Sequence, residues 1–166
     1  IEVLVNDGVN TSNVAAALIN VLAANDAPDI LLETSAAYVE NAAVTPLAPL
    51  VTLTDVDDAE FSEAVVRITD GTIPGDGDIL SVDGLTSGTT NGITFLWDAA
   101  EHALVFTGTS LAESYQDLLR IVGFNSTSDN PTDFGARATR VLTWSVSDGT
   151  AVSTITTTID ILDVND

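Results

Sequence analysis

One stretch of this chain is written almost twice, and it limits what the chain can fold into. The first copy runs from Val5-Asn6-Asp7-Gly8 through an apolar-alternating segment to Asn25-Asp26-Ala27-Pro28. The second runs from Val146-Ser147-Asp148-Gly149 through a similar segment to Asp163-Val164-Asn165-Asp166. With Asp7 set on Asp148, the two Asn-Asp pairs fall one residue out of step. Self-similarity at a spacing of about 140 residues is the mark of an array of similar domains. The expectation is a slice of such an array. Residues 1–24 would be the C-terminal hairpin of a preceding repeat, and residues 25–166 one whole domain ending in the next linker. A protein of this kind spans distance or presents a surface.

Both copies sit in a wider pattern of period-two alternation, rich in Val, Ile and Thr and broken by Gly, Asp and Asn. Leu142, Trp144 and Val146 alternate with Val141, Thr143 and Ser145, and Ile155, Thr157, Ile159 and Ile161 with Thr154, Thr156, Thr158 and Asp160. The turn Ser147-Asp148-Gly149-Thr150 between them makes residues 139–162 a long terminal hairpin. Further strands are expected at 38–40, 49–55, 62–69, 78–82, 91–97, 103–107 and 120–124. Strands this frequent predict an all-β antiparallel sandwich, with Phe95, Trp97, Leu104, Phe106 and Trp144 facing inward. One segment differs: Ser110-Leu111-Ala112-Glu113 has the form of a capping box, and Leu111, Tyr115, Leu118 and Leu119 recur at helical spacing. Residues 110–119 are therefore expected as a short helix that crosses between the sheets and closes one end of the core. The hairpin at 1–24 cannot stand alone in water, so it is expected to pair with a sheet edge or to exchange between chains.

The charge balance narrows the function. Asp and Glu number 25 against four basic residues, all arginine, for a formal charge of −21. Such a chain repels polyphosphate and anionic membrane surfaces, which excludes nucleic acid as a partner. A divalent cation is the natural agent to neutralise it. With hydrophobic residues at 45%, the chain has the material for a core and is no disordered acidic tail. Cysteine is absent, so neither disulfides nor thiolate chemistry is available. No run of eighteen apolar residues occurs, and the apolar stretch 14–24 lacks the basic flank of a signal peptide.

Three acidic clusters stand out: Asn25-Asp26, Asp55-Val56-Asp57-Asp58 directly after the strand at 50–54, and the turn at Asp148. Taken singly, each reads as an Asx turn. In a sandwich, however, a loop after an early strand and a late hairpin loop converge at one pole, where Asp55 and Asp57 can share a hard cation. Calcium takes six to eight oxygens, backbone carbonyls included. Gly75-Asp76-Gly77-Asp78 reads as a glycine-aspartate turn.

Asn25-Asp26-Ala27-Pro28, Tyr38-Val39-Glu40-Asn41, Asp55-Val56-Asp57, Ser147-Asp148-Gly149 and Asp163-Val164-Asn165-Asp166 stand in the order and approximate spacing of a cadherin repeat. Gly92-Ile93-Thr94, Leu104-Val105-Phe106-Thr107-Gly108 and the stretch from Tyr115 to Asn125-Ser126-Thr127 resemble the cadherin-like repeats of very large secreted bacterial adhesins, surface proteins of the repeats-in-toxin type. The resemblance covers residues 25–166. It implies a Greek-key, cadherin/Ig-like sandwich stacked end to end, outside the cell, with Ca2+ stiffening each junction. Carried over motif by motif, Asn25, Asp26, Asp55, Asp57 and Asp148 would serve the N-terminal junction, and Glu40, Asp163, Asn165 and Asp166 the C-terminal one. The implied partners are neighbouring repeats of the same polypeptide, another adhesin chain or a surface glycan. In place of a mid-domain Leu-Asp-Arg-Glu element stands Leu111-Ala112-Glu113-Ser114, which leaves Glu113 and Asp117 as the nearest substitutes.

A competing reading is a carbohydrate-binding sandwich with an aromatic platform drawn from Trp97, Trp144, Tyr38 and Tyr115. Both tryptophans sit at apolar alternating positions, which favours core packing. An enzyme is not expected. The single histidine, His102, sits in a Glu101-His102-Ala103 turn with no serine nucleophile around it and reads as solvated; no phosphate loop or zinc spacing occurs.

Overall fold

The computed structural model describes residues 1–73, 75 and 77–164. Its strands are β1 (Glu2–Val3), β2 (Ala15–Ala16), β3 (Asp29–Leu31), β4 (Ser35–Val39), β5 (Thr45–Pro46), β6 (Thr52–Thr54), β7 (Glu60–Asp70), β8 (Asp78–Val82), β9 (Ser87–Thr90), β10 (Ile93–Asp98), β11 (Ala103–Leu111), β12 (Val122–Ser126), β13 (Thr139–Ser147) and β14 (Val152–Leu162). The helix α1 (Ala112–Arg120) joins β11 to β12. One layer is a seven-stranded sheet in the order β4-β14-β13-β7-β11-β10-β9, and the other holds β5-β12-β8 and β3-β6. The chain is thus an all-β sandwich with one short helix, as the alternation predicts. Its strand order is that of a crossed-over sandwich and not of a meander.

Alternation places the core. Along β13 the side chains of Arg140, Leu142, Trp144 and Val146 turn inward, and along β14 so do Thr157, Ile159 and Ile161. Of these, Leu142, Trp144, Val146, Ile159 and Ile161 meet Leu80, Val122 and Phe124 of the opposing layer in a single apolar cluster. Tyr38 packs edge-on against Phe124, with ring centroids 5.0 Å apart, and its hydroxyl donates to the Ser126 carbonyl at 3.2 Å. Fully burying one such side chain contributes about 1.5–3 kcal/mol, so the cluster supplies most of what holds the layers together.

Two features depart from expectation. The sheet is not wholly antiparallel: β4 pairs with β14 in parallel, from Ser35 opposite Thr158 to Val39 opposite Leu162. The reason is connectivity, since β4 crosses over to join the large sheet instead of turning back on a neighbour. The capping box also does not form. Ser110 still belongs to β11, and its hydroxyl donates to the Asn91 carbonyl at 2.8 Å. Leu111 stands at the N-cap and makes no side-chain cap. The helix begins two residues late because the pairing of β11 with β7, after a register shift between Thr107 and Ser110, runs on to Leu111 opposite Glu60. Its buried residues, Tyr115, Leu118 and Leu119, do close the core.

A buried ion pair pins the long connection from β12 to β13. The side chains of Arg140 and Asp78 are both 0% exposed, and Arg140 Nε donates to Asp78 Oδ2 at 2.5 Å. Arg140 also donates to the backbone carbonyls of Pro131 (2.6 Å) and Arg137 (2.9 Å). One guanidinium therefore fastens β8, β13 and the loop between residues 127 and 138. Among the described residues, no helix is long and apolar enough to cross a membrane.

Candidate functional site: two acidic poles

The chain enters the sandwich at one pole and leaves it at the other, and each pole carries carboxylates set by different elements. At the entry pole the segment ahead of β3 brings Asn25 and Asp26, the loop after β6 brings Asp55, Asp57 and Asp58, and the β13–β14 turn brings Asp148. Asn25 Nδ2 donates to Asp148 Oδ2 at 2.9 Å, and the Asp26 N–H donates to Asp57 Oδ2 at 3.0 Å. Residues 31 and 123 positions apart in sequence are thereby joined. The five residues expected at this junction come together, and Asp58 joins them.

The carboxylates divide their work. Asp55 Oδ1 accepts the N–H groups of Asp57 (3.1 Å) and Asp58 (3.0 Å), and Asp148 Oδ1 accepts those of Thr150 (2.6 Å) and Ala151 (2.7 Å). These are Asx turns. The second oxygens are left for other uses, and Asp55 Oδ2 is buried with no hydrogen-bond partner. Burial pushes the Asp55 carboxyl up, but the Asp57 and Asp58 amides, together with the Asp57 side chain, outweigh it and hold it below the usual value, against the like charge of Asp148. Asp148 is lowered by the Ala151 amide, then by Asn25 and the Thr150 amide. Asp58 has no such donors: burial, and then the charges of Asp148, Asp55 and Asp57, raise it. The pole is thus a set of mutually repelling carboxylates preformed by their loops.

At the exit pole Glu40 is only 4% exposed although it lies just past β4. Its Oε2 accepts the Val164 N–H at 2.8 Å, and its Oε1 is buried without a partner. Asp163 accepts the Thr132 hydroxyl through Oδ1 (2.7 Å) and Oδ2 (2.5 Å). Thr132, itself buried, was not expected from the sequence, because only folding brings its loop to the chain exit. Asn165 and Asp166 lie outside the described residues. Glu113 and Asp117 are not substitutes here. The Ala112 N–H donates to the Ala59 carbonyl, which seats the start of α1 beside the entry-pole loop, and Asp117 pairs with Arg120 at 3.4 Å.

The donors at both poles are hard oxygens, the set that suits calcium. They do not close on one point: among the described residues no three Asp, Glu or His side chains form a metal-holding group. Asp78 is committed to Arg140, and Asp76 lies outside the described residues. Of the four aromatic residues considered for a sugar platform, Trp144, Tyr38 and Tyr115 are core residues, and Trp97 alone is half-buried. His102 is not the solvated residue the turn suggested. It is half-buried with φ +49, its ring stands edge-on to Trp97, and its Nδ1 is buried without a partner. Surface cavities of about 510 Å³ over Pro46 and Ile121, and of about 450 Å³ beside His102, include none of the pole carboxylates named for calcium. No known family's sequence profile matches this chain, and no curated protein matches it.

Proposed function

We propose that the chain is a non-catalytic, calcium-rigidified extension or adhesion module of a multi-repeat cell-surface or secreted adhesin. One observation carries this reading: each pole holds a buried carboxylate oxygen with no hydrogen-bond partner, Asp55 Oδ2 at the entry and Glu40 Oε1 at the exit. A buried acceptor left unsatisfied costs about 1–3 kcal/mol, and more when charged. A cation seated there removes that cost, which the loops alone do not. Asp55, Asp57 and Asp148, with Asn25 and Asp26, would hold calcium at the entry pole. Glu40 and Asp163 would hold it at the exit, with Asn165 and Asp166 completing the set from the linker. When bound, the ion supplies positive charge that turns a repelling cluster into a joint. The residues of this chain supply the fixed half of that joint, since Asx turns and the Asn25–Asp148 bond already orient the carboxylates. Binding only to the folded state, calcium would also stabilise the sandwich.

The test is titration calorimetry of chelator-stripped protein with calcium chloride. At least one site is expected, with Kd on the order of 10⁻⁴–10⁻³ M as in extracellular modules. Absence of binding heat up to about 10 mM calcium, well above that range, would reject the reading.

A further inference from the structure

The duplicated stretch holds more than a likeness of sequence. The turn at Asp7 is built like the turn at Asp148: Asp7 Oδ1 accepts the N–H groups of Val9 (2.9 Å) and Asn10 (2.7 Å), two and three residues on. Asp148 Oδ1 accepts from residues at the same two offsets. The following glycines share the left-handed region, with φ +95 at Gly8 and +104 at Gly149. The pairing registers also correspond. Asn6 opposite Thr11 matches Ser147 opposite Val152, each with an offset of 141. Val3 opposite Ala15 matches Trp144 opposite Ile155, but here the first arm keeps 141 and the second drops to 140. The first hairpin therefore carries one extra residue between Thr11 and Ala15, a bulge. That residue accounts for the one-residue slip between the two Asn-Asp pairs, because beyond it Ile19-Asn20-Val21-Leu22 falls on Ile159-Asp160-Ile161-Leu162.

The two hairpins differ also in what covers them. Ile159 and Ile161 are 1% and 3% exposed, between the core and the parallel strand β4; Ile19 and Val21 are 62% and 88% exposed. Trp144 and Val146 are buried where Val3 and Val5 are bare. A bare two-stranded hairpin is marginal in water. In the sheet of this sandwich the equivalent position, between β7 and β4, is filled by β13 and β14, and β1 and β2 pair with each other alone.

We infer that residues 1–22 are a docking element whose partner is a second sandwich of this kind, joined ahead of Ile1 on the same polypeptide and open between its own equivalents of β7 and β4. Chain polarity fixes the side. Ile1 corresponds to Leu142, so the rest of that sandwich precedes it as residues 25–141 precede Leu142 here. This inference is independent of the calcium reading, because it rests on register and burial alone.

The experiment fuses residues 25–141 directly ahead of Ile1 of the intact chain and follows amide hydrogen exchange, with the 1–166 chain as reference. A second fusion carries Val3→Trp, which restores the large side chain that β13 has at that position. The expected result is that amides of Val3, Val5, Ala17, Ile19 and Val21 slow by on the order of 100-fold or more in at least one fusion, with the added segment folded. Ile19→Asp in that fusion should undo the protection while residues 25–166 of the intact chain unfold as before. Exchange in both fusions as fast as in the reference overturns the inference. So does a reference chain that dimerises with its hairpin protected, since the occupant would then be a second copy.

Discussion

Arg140→Met isolates the strongest electrostatic commitment inside the sandwich. The guanidinium is fully buried and donates to Asp78 and to two backbone carbonyls, so its loss removes the counter-charge of a buried carboxylate and frees both carbonyls. Breaking a buried pair from one side costs about 3–5 kcal/mol. For a chain of this size, about 2–4 °C of melting temperature follows each kcal/mol, so Tm should fall by about 6–20 °C. The assay is thermal unfolding by circular dichroism on Arg140→Met, Asp78→Leu and the double variant. Because the partners touch directly, the cycle should return a coupling of about 1–3 kcal/mol, the double variant being less damaged than the two singles summed. The loosening should also reach the exit pole, since the same guanidinium holds Pro131, next to the Thr132 that grips Asp163. A Tm loss under about 3 °C, or strictly additive singles, would refute the reasoning.

Three further outcomes are expected. At about 10 mM calcium and a Kd of about 0.1–1 mM, binding should add about 1.4–2.7 kcal/mol, raising Tm by about 3–11 °C over chelator, with most of the rise lost in Asp57→Asn. Asp58 has a raised folded-state pKa, so its ionisation disfavours the fold: its contribution is intact below the unfolded value and is lost as pH rises through the folded one. Asp58→Asn should therefore raise the metal-free Tm at pH 7 and leave it unchanged below about pH 3.8, where both states hold the proton. Gly108 has φ +127, and a Cβ there would lie 2.3 Å from the Gly92 carbonyl oxygen, so Gly108→Ala should cost about 2–5 kcal/mol in denaturant titration.

What the sequence disclosed follows from which forces act locally. The hairpin of β13 and β14 was legible because alternation over nine and eleven residues has no helical reading. The strands β3, β5 and β9 were not, because two to four residues such as Thr45-Pro46 carry no period and pair only through partners far along the chain. The capping box misled since a serine hydroxyl takes whichever acceptor folding offers, here Asn91. At the entry pole the expected residues did converge, because the loop that leads into β7 and the turn that ends its neighbour β13 share an end of the sandwich. Burial of Glu40 and Arg140 was not read from the sequence, although both stand in line with Tyr38 and Leu142 by parity; the partners Thr132 and Asp78 carry no local signal.

The parallel pairing of β4 with β14 sets how this domain meets tension. The chain comes in ahead of β4 and goes out beyond β14, so a pull on the two ends slides these neighbours lengthwise past one another. The backbone bonds from Ser35–Thr158 to Val39–Leu162 then bear the load together and cannot open one at a time like a zip. A tether made of such units would stay long under flow or drag and give way only when a whole row of bonds fails at once.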